Sequence, residues 1–477
     1  MSETAVISTE KLPARTKMSY GLGAVAFGIK EQGFNTFLLL YYNQVVGLPA
    51  AWVGAAIMIA MMVDAFADPL IGHYSDHLRS RWGRRHPFMY ASALPLAAAY
   101  FFLWAPPQAS QEIQFVYLLL MSIIVRVAIS FYEIPSGALM AEFTSNYDER
   151  TSISTYRAIF LAVGMIGMPV FALHYILVPT AEQPVGQLNA TGYPIYGAIA
   201  AAVMLLSVLI SSWGTHHRIP TLIAHQGTER ATMSGLWAGM KTLLQDRTFS
   251  SVLLCTFFFS VGAGLANTLG VYVRTYFWQL SAANIAVIVS AAFWGVILGL
   301  VVVHFSKKFG KKQTAVTLYA IALVTITVPV TLGLLGMMPT NNTELVGLLV
   351  VQEVLLVMCV LAALILASSM VADVADHFLL KTGKHMEGLM FSSMVMVSKM
   401  VSGMGIFLSS IILSLIQFPE KATVESVDPH IINQLGWIFV ICAGSMFFIA
   451  IVALSFYPIT RAMHEKTLSD LKERAAS

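Results

Sequence analysis

Asp64 and Asp68 stand inside an apolar run, roughly Ala51 to Ile71, that is long enough to cross a bilayer. A carboxylate in such a run costs about 2.5–3.5 kcal/mol on insertion scales, so a pair of them calls for a reason. Four residues apart, they are turned by only about 40° on a helix and lie one turn from each other on one face. Like charges held that close need a cation, a proton or a basic partner. One reading makes them helix-end carboxylates solvated by lipid headgroups. The sharper reading makes them an ion- or proton-binding site in a transporter.

Other ionisable residues lie in apolar runs: Lys30 and Glu31, Arg126 and Glu133, Arg157, Glu353 and Lys399. Arg126 and Glu133 are seven apart, near one helical face and about two turns from each other. Such residues are expected to face an aqueous cavity and one another rather than lipid. A structural ion pair tying two helices is an equal reading for Lys30 and Glu353.

The elements that must carry these groups follow from composition. Of 477 residues, 57% are hydrophobic and 11% are charged, whereas soluble domains carry about 25% charged residues. The chain is therefore an integral membrane protein, and its net charge of +3 carries no nucleic-acid signal. Cys255, Cys359 and Cys442 lie far apart in apolar segments, without metal spacing, and read as buried small hydrophobes. Windows of about 20 apolar residues give twelve spans, roughly 19–44, 51–73, 88–105, 113–140, 153–178, 194–213, 248–275, 283–305, 314–336, 345–372, 390–416 and 433–457. The polar break from Trp213 to Asp246 divides them into an N-terminal half (1–213), a middle linker (214–246) and a C-terminal half with a tail (247–477). The first span has no cleavable signal before it and is expected to remain as an anchor.

Loop charges set the orientation. Arg79, Arg81, Arg84 and Arg85 follow span two, and Lys307, Lys308, Lys311 and Lys312 follow span eight. Loops after odd-numbered spans hold almost no Lys or Arg, with Arg274 and Lys421 the main exceptions. The positive-inside rule places both termini, the linker and the even-numbered loops in the cytoplasm. The basic, glycine-containing turns around Gly83 and Gly310 sit at matching places six spans apart, as parallel six-helix repeats would produce.

The motifs Ser19–Ala24, Tyr41-Tyr42, Val45–Leu48, Asp64–Pro69, Arg79–Gly83, Glu133-Ile-Pro135 and Tyr156-Arg157 resemble the glycoside–pentoside–hexuronide:cation symporters, the melibiose permease group of the major facilitator superfamily. In the second half Ala372-Asp373-Val374, Lys381–Lys384, Glu387-Gly388 and Lys399 continue the likeness in order. The resemblance implies an all-α membrane protein with twelve transmembrane helices in two six-helix halves, working by alternating access. It implies that Asp64, Asp68 and Glu133, with the Ser130 hydroxyl, bind the coupling cation, and that Arg157 lies at the substrate site. It implies further that Lys399 faces the acidic cluster, so that one lysine and one bound cation balance three carboxylates. Arg126 and Glu31 are taken with these as substrate-binding or charge-balancing residues. Arg79, Arg81, Gly83, Arg84, Arg85, Asp373, Lys381 and Lys384 are taken as cytoplasmic gates and turns.

Three departures matter. Sugar-transporting relatives carry an aspartate where this chain has Gly28, a tryptophan at Gly137, and an Asn or Thr at Ala67 that helps ligate sodium. Glu31, one turn after Gly28, is the residue that would substitute. The expectation is a cation-coupled symporter, driven by H+ or Na+, for a sugar, glycoside or related small solute. Its runner-up is a lysophospholipid symporter, favoured by 25 methionines and the loss of polar sugar-binding positions. A non-transporting membrane sensor and a membrane-embedded enzyme are the readings from other classes. No cofactor is expected, no metal beyond Na+, and no partner beyond the lipid bilayer and the solute. The protein is expected to act as a monomer in the plasma (inner) membrane.

Overall fold

The computed structural model of the protein describes residues 12–144, 146–221, 241–383 and 386–476. Its described residues fold into α1 (Ala14–Leu22), α2 (Ala24–Gln32), α3 (Ala50–His77), α4 (His86–Leu103), α5 (Gln111–Phe143), α6 (Tyr147–Ala162), α7 (Met168–Phe171), α8 (Gly192–His216), α9 (Arg247–Tyr272), α10 (Ala282–Ser290), α11 (Ala292–Phe309), α12 (Lys311–Leu334), α13 (Asn342–Thr382), α14 (Glu387–Leu415), α15 (Pro429–Ser455) and α16 (Arg461–Ala476). Wider π-wound turns continue the first, fifth and seventh rods, over Gly33–Leu38 and Tyr41–Val46, Val163–Gly167 and Ala172–Ile176, and Val273–Phe277. Joined end to end, these helices make the twelve expected rods, and α16 follows as a polar helix beyond the last. Nine helices among the described residues are long and apolar enough to cross a membrane. Part of the expected middle linker, 222–240, lies outside the described residues.

Helix is the obligatory choice, because in lipid each backbone N–H and C=O must be satisfied within its own segment. Pro69, Pro95, Pro135 and Pro329 nevertheless sit inside α3, α4, α5 and α12. Each withholds an N–H from the carbonyl four residues earlier. Two of these places are beside carboxylates: Pro69 follows Asp68 directly, and Pro135 lies two residues after Glu133.

The chain divides into two compact units. One holds the described residues of Met1–Thr228 with Gln279–Ala286 and Leu413–Val427; the other holds those of Glu229–Trp278, Val287–Ile412 and Asp428–Ser477. In the first, α3 packs on α5, α4 on α5, α4 on α8, and α1 and α2 on α8. The second repeats these pairings six spans later: α11 on α13, α12 on α13, α12 on α15, and α9 on α15. Gly83 and Gly310 both take positive φ, +71° and +85°, and ψ at Gly310 is 146°, a region almost confined to glycine.

Tyr41 and Tyr42 belong to the core. Their hydroxyls donate to the carbonyls of Trp104 (3.1 Å) and Leu103 (2.8 Å), and Trp104 stacks on Tyr193. Nearby, the Gln44 amide grips the backbone of the 413–427 segment, donating to Pro419 O and accepting from Ala422 N, both at 3.0 Å. Cys255 and Cys359 are buried and Cys442 is half-buried, all as free thiols.

Candidate functional site

The charged residues of the first unit gather on α2, α3, α5 and α6. Asp64, on α3, is 7% exposed. Its Oδ1 accepts the Ser130 hydroxyl at 2.8 Å, and its Oδ2 faces Arg126 Nε at 3.4 Å. Ser130 and Arg126 are one turn apart on α5, so one face of that helix supplies both a neutral and a charged donor. The Arg126 guanidinium also lies 5.5 Å from the Phe34 ring centroid. On α2, Lys30 pairs with Glu31 at 2.5 Å and lies 4.4 Å from the Phe27 ring centroid. Lys30 is 2% exposed and interacts electrostatically with Arg126 and Asp64 as well as with Glu31. Asp68, one turn beyond Asp64, is half-buried.

Glu133 goes elsewhere. Its Oε1 accepts from Arg157 Nη2, while its Oε2 is buried without a hydrogen-bond partner among the described residues. Arg157 Nη1 donates to the Tyr20 hydroxyl (3.1 Å), which donates to Ser136 O (2.9 Å). The guanidinium lies 5.9 Å from the Tyr20 ring centroid. Tyr20 is thus the positioning residue for Arg157, and sequence reasoning took it only as part of a motif.

Among the described residues Asp64 and Glu133 thus take different basic partners, Arg126 and Arg157. Arg126 and Glu133, which share a face of α5, bind different partners because α3 brings Asp64 to one and α6 brings Arg157 to the other. The compensating charge on Asp64 is Arg126; the Lys399 side chain lies outside the described residues. Among the described residues, three cations (Lys30, Arg126, Arg157) oppose four carboxylates (Glu31, Asp64, Asp68, Glu133).

Of the three departures, one has a steric cause. Gly28 lies at a helix crossing: a Cβ there would come within 2.5 Å of Leu161 O and 2.8 Å of Met165 N, so no carboxylate fits. Gly137 stands beside Arg157, where a Cβ would meet Nη1 at 3.5 Å, an ordinary contact, so this place accepts a side chain. Ala67 lines an apolar groove with Leu70, Tyr74, Phe88, Val127 and Phe131. Glu31, the expected substitute for the aspartate, is held by Lys30.

Of the residues expected at gates and turns, Arg84, Arg85, Asp373 and Lys381 form ion pairs at the ends bearing the basic turns. In the first unit Glu142, at the end of α5, accepts from Arg84 (2.9 Å) and Arg85 (3.0 Å), and Arg85 also pairs with Asp76 (2.6 Å). Arg79 and Arg81 are exposed. In the second unit Lys311, just after Gly310, donates to both oxygens of Asp373 on α13, at 2.6 and 2.8 Å, with His464 of α16 at 3.5 Å. Lys381 stands 3.9 Å from Asp246, whose carboxylate caps α9. Lys384 lies outside the described residues. Glu142 was missed because it falls past the apolar run; the Asp373 position six spans later was the available signal. Glu353 of α13 is bound to Arg274 at 2.6 Å, so Arg274 is corrected from a loop charge to a helix residue.

The sequence model of the family described as MFS/sugar transport protein matches residues 19–461. The chain belongs to that family. Among curated relatives of this MFS/sugar transport protein, the "Uncharacterized symporter YjmB" of Bacillus subtilis (strain 168) is 25% identical over 480 residues, 98% of each chain. The "Isoprimeverose transporter" of Lactiplantibacillus pentosus is 25% identical over 488 residues, covering 99% of this chain and 94% of that one. The crystal structure of a D-xylose-proton symporter matches with a TM-score of 0.63 at 12% identity, over 92% of this chain and 98% of that one. The fold is that of the major facilitator superfamily, as the twelve spans and the resemblance imply.

Proposed function

We infer that this MFS/sugar transport protein is a cation-coupled symporter that carries a sugar, glycoside or related small solute by alternating access. The family match over residues 19–461 carries this reading, joined by relatives whose names specify symport and, in one, isoprimeverose. The lysophospholipid alternative finds no support among these names. Turnover without translocation would mark an enzyme, and binding without accumulation a sensor; the family speaks for transport.

The coupling ion proposed is a proton. Asp64 already takes a hydroxyl and a guanidinium, and Ala67 offers no oxygen, which leaves a poor ligand set for sodium. By the positive-inside rule, the basic turns around Gly83 and Gly310 support cytoplasmic termini. The protein acts as a monomer in the inner membrane.

The test is uptake into proteoliposomes, with a panel of labelled sugars and lysolipid. An imposed pH gradient without sodium is expected to drive accumulation of a sugar. Accumulation only under a sodium gradient at fixed pH would refute the proton, and uptake of lysolipid alone would refute the sugar.

A further inference from the structure

The second unit carries a polar surface that the charge pairs of the first do not explain. Along α9 and its π-wound end, the solvent-accessible positions from 260 to 274 are Ser260, Ala263, Ala266, Asn267, Gly270 and Arg274. All are small or polar. A lipid-facing helix looks different: on α11 of the same unit the exposed residues include Phe293, Trp294, Ile297, Leu298, Leu300 and Val301. The contrast matters because Asn267 is exposed and lies about 15 Å from the Phe277 end of its rod. An amide held in hydrocarbon at that depth has nothing to bond, so this face meets water or a polar solute.

Two further observations point to a ligand. Gly270, the next position on this face, has nothing among the described residues within 4 Å of where a Cβ would stand, so the face is open there. One turn on, Arg274 is paired with Glu353 of α13, their side chains 25% and 14% exposed. Arg274 also lies in a π-wound turn, a feature frequent at functional sites. A guanidinium, a carboxylate and a carboxamide along one accessible face offer both donors and acceptors, the combination that vicinal hydroxyls require.

We propose that Asn267 and the Arg274–Glu353 pair form a hydroxyl-binding wall of the solute pathway in the second unit. Asn267 contacts the solute directly, through its amide donor and its carbonyl. Arg274 and Glu353 hold each other and share their remaining hydrogen-bonding capacity with the same polyhydroxyl solute. The proposal rests on the sugar-symport reading for the identity of that solute and on the exposed polar face for the wall itself.

The experiment uses the full chain in proteoliposomes, with Cys255, Cys359 and Cys442 replaced by Ala. Asn267→Cys and Trp294→Cys are each exposed to a water-soluble and to a lipid-soluble maleimide. Position 267 is expected to react with the water-soluble reagent at least about tenfold faster than position 294, and the transported sugar is expected to slow it. Reaction at 267 with only the lipid-soluble reagent would overturn the wall. Reaction that no transported sugar slows would overturn hydroxyl binding. In parallel, Asn267→Ala is expected to raise the KM for sugar counterflow about tenfold, with the maximal rate kept within about twofold, as loss of a desolvated hydrogen bond would. Asn267→Gln is expected to recover part of that loss; an unchanged KM in Asn267→Ala would overturn the contact. If no sugar exchanges in the unmodified protein, the transport reading has failed instead. The contrast between positions 267 and 294 then still decides whether this face is an aqueous wall.

Discussion

At the scale of single residues, Asp64 is held by a hydroxyl and a guanidinium, so replacing it acts twice. Asp64→Asn is expected to abolish cation-driven accumulation while leaving sugar counterflow, which needs no net gradient, measurable. It also leaves Arg126, 4% exposed, without its counter-charge, a loss of roughly 3 kcal/mol where one partner of a buried pair is removed. Arg126→Gln added to Asp64→Asn should return part of that stability, read as the melting temperature in detergent. A double variant no more stable than the single one would show that the two groups are uncoupled. Gly28 gives a complementary case. Gly28→Asp restores the aspartate of sugar-transporting relatives in sequence only, because the backbone of 161–165 fills the place. It should destabilise by about 2–3 kcal/mol through overpacking and burial of a charge and should not improve sugar affinity. Normal membrane levels with tighter sugar binding would contradict the crossing described.

At the scale of elements, the two glycine turns separate backbone strain from contact. Around Gly310 nothing lies within 4 Å of a built Cβ, whereas at Gly83 it would meet Ile219 Cγ2 at 3.1 Å. Gly310→Ala should therefore cost about 1–3 kcal/mol from backbone conformation alone, and Gly83→Ala about 1–2 kcal/mol from the positive φ with a contact term added. Lying in different units, the two costs should add in a double variant, checked by thermal unfolding. The turns were legible in the sequence because a glycine among basic residues recurred six spans apart, and apolar length fixed the rods. What could not be read was which face of each helix meets which neighbour. A shared face on α5 made Arg126 and Glu133 look like partners, yet rotation of α3 and α6 about their axes assigns each to another. Likewise the aspartate lost at Gly28 looked like a vacated sugar contact, but only packing shows that the position is a crossing.

At the scale of the molecule, coupling must connect buried charges near mid-membrane with ion pairs at the ends bearing the basic turns. Neutralising the second-unit pair tests that connection. Asp373→Asn removes the negative charge that Lys311 and His464 face and should slow net uptake several-fold while changing KM for the sugar little. A change in KM alone would place Asp373 in binding rather than in conformational change. The element between the two levels is α13, which runs 41 residues from Asn342 to Thr382 with no proline inside it. That is about 60 Å of continuous helix, twice the hydrocarbon thickness. Glu353 and Asp373 are separated on it by about 30 Å of rise. Mechanically it is a lever: if Glu353 is the fulcrum, a tilt of about 10° carries Asp373 roughly 5 Å, farther than an ion pair with Lys311 can stretch and hold.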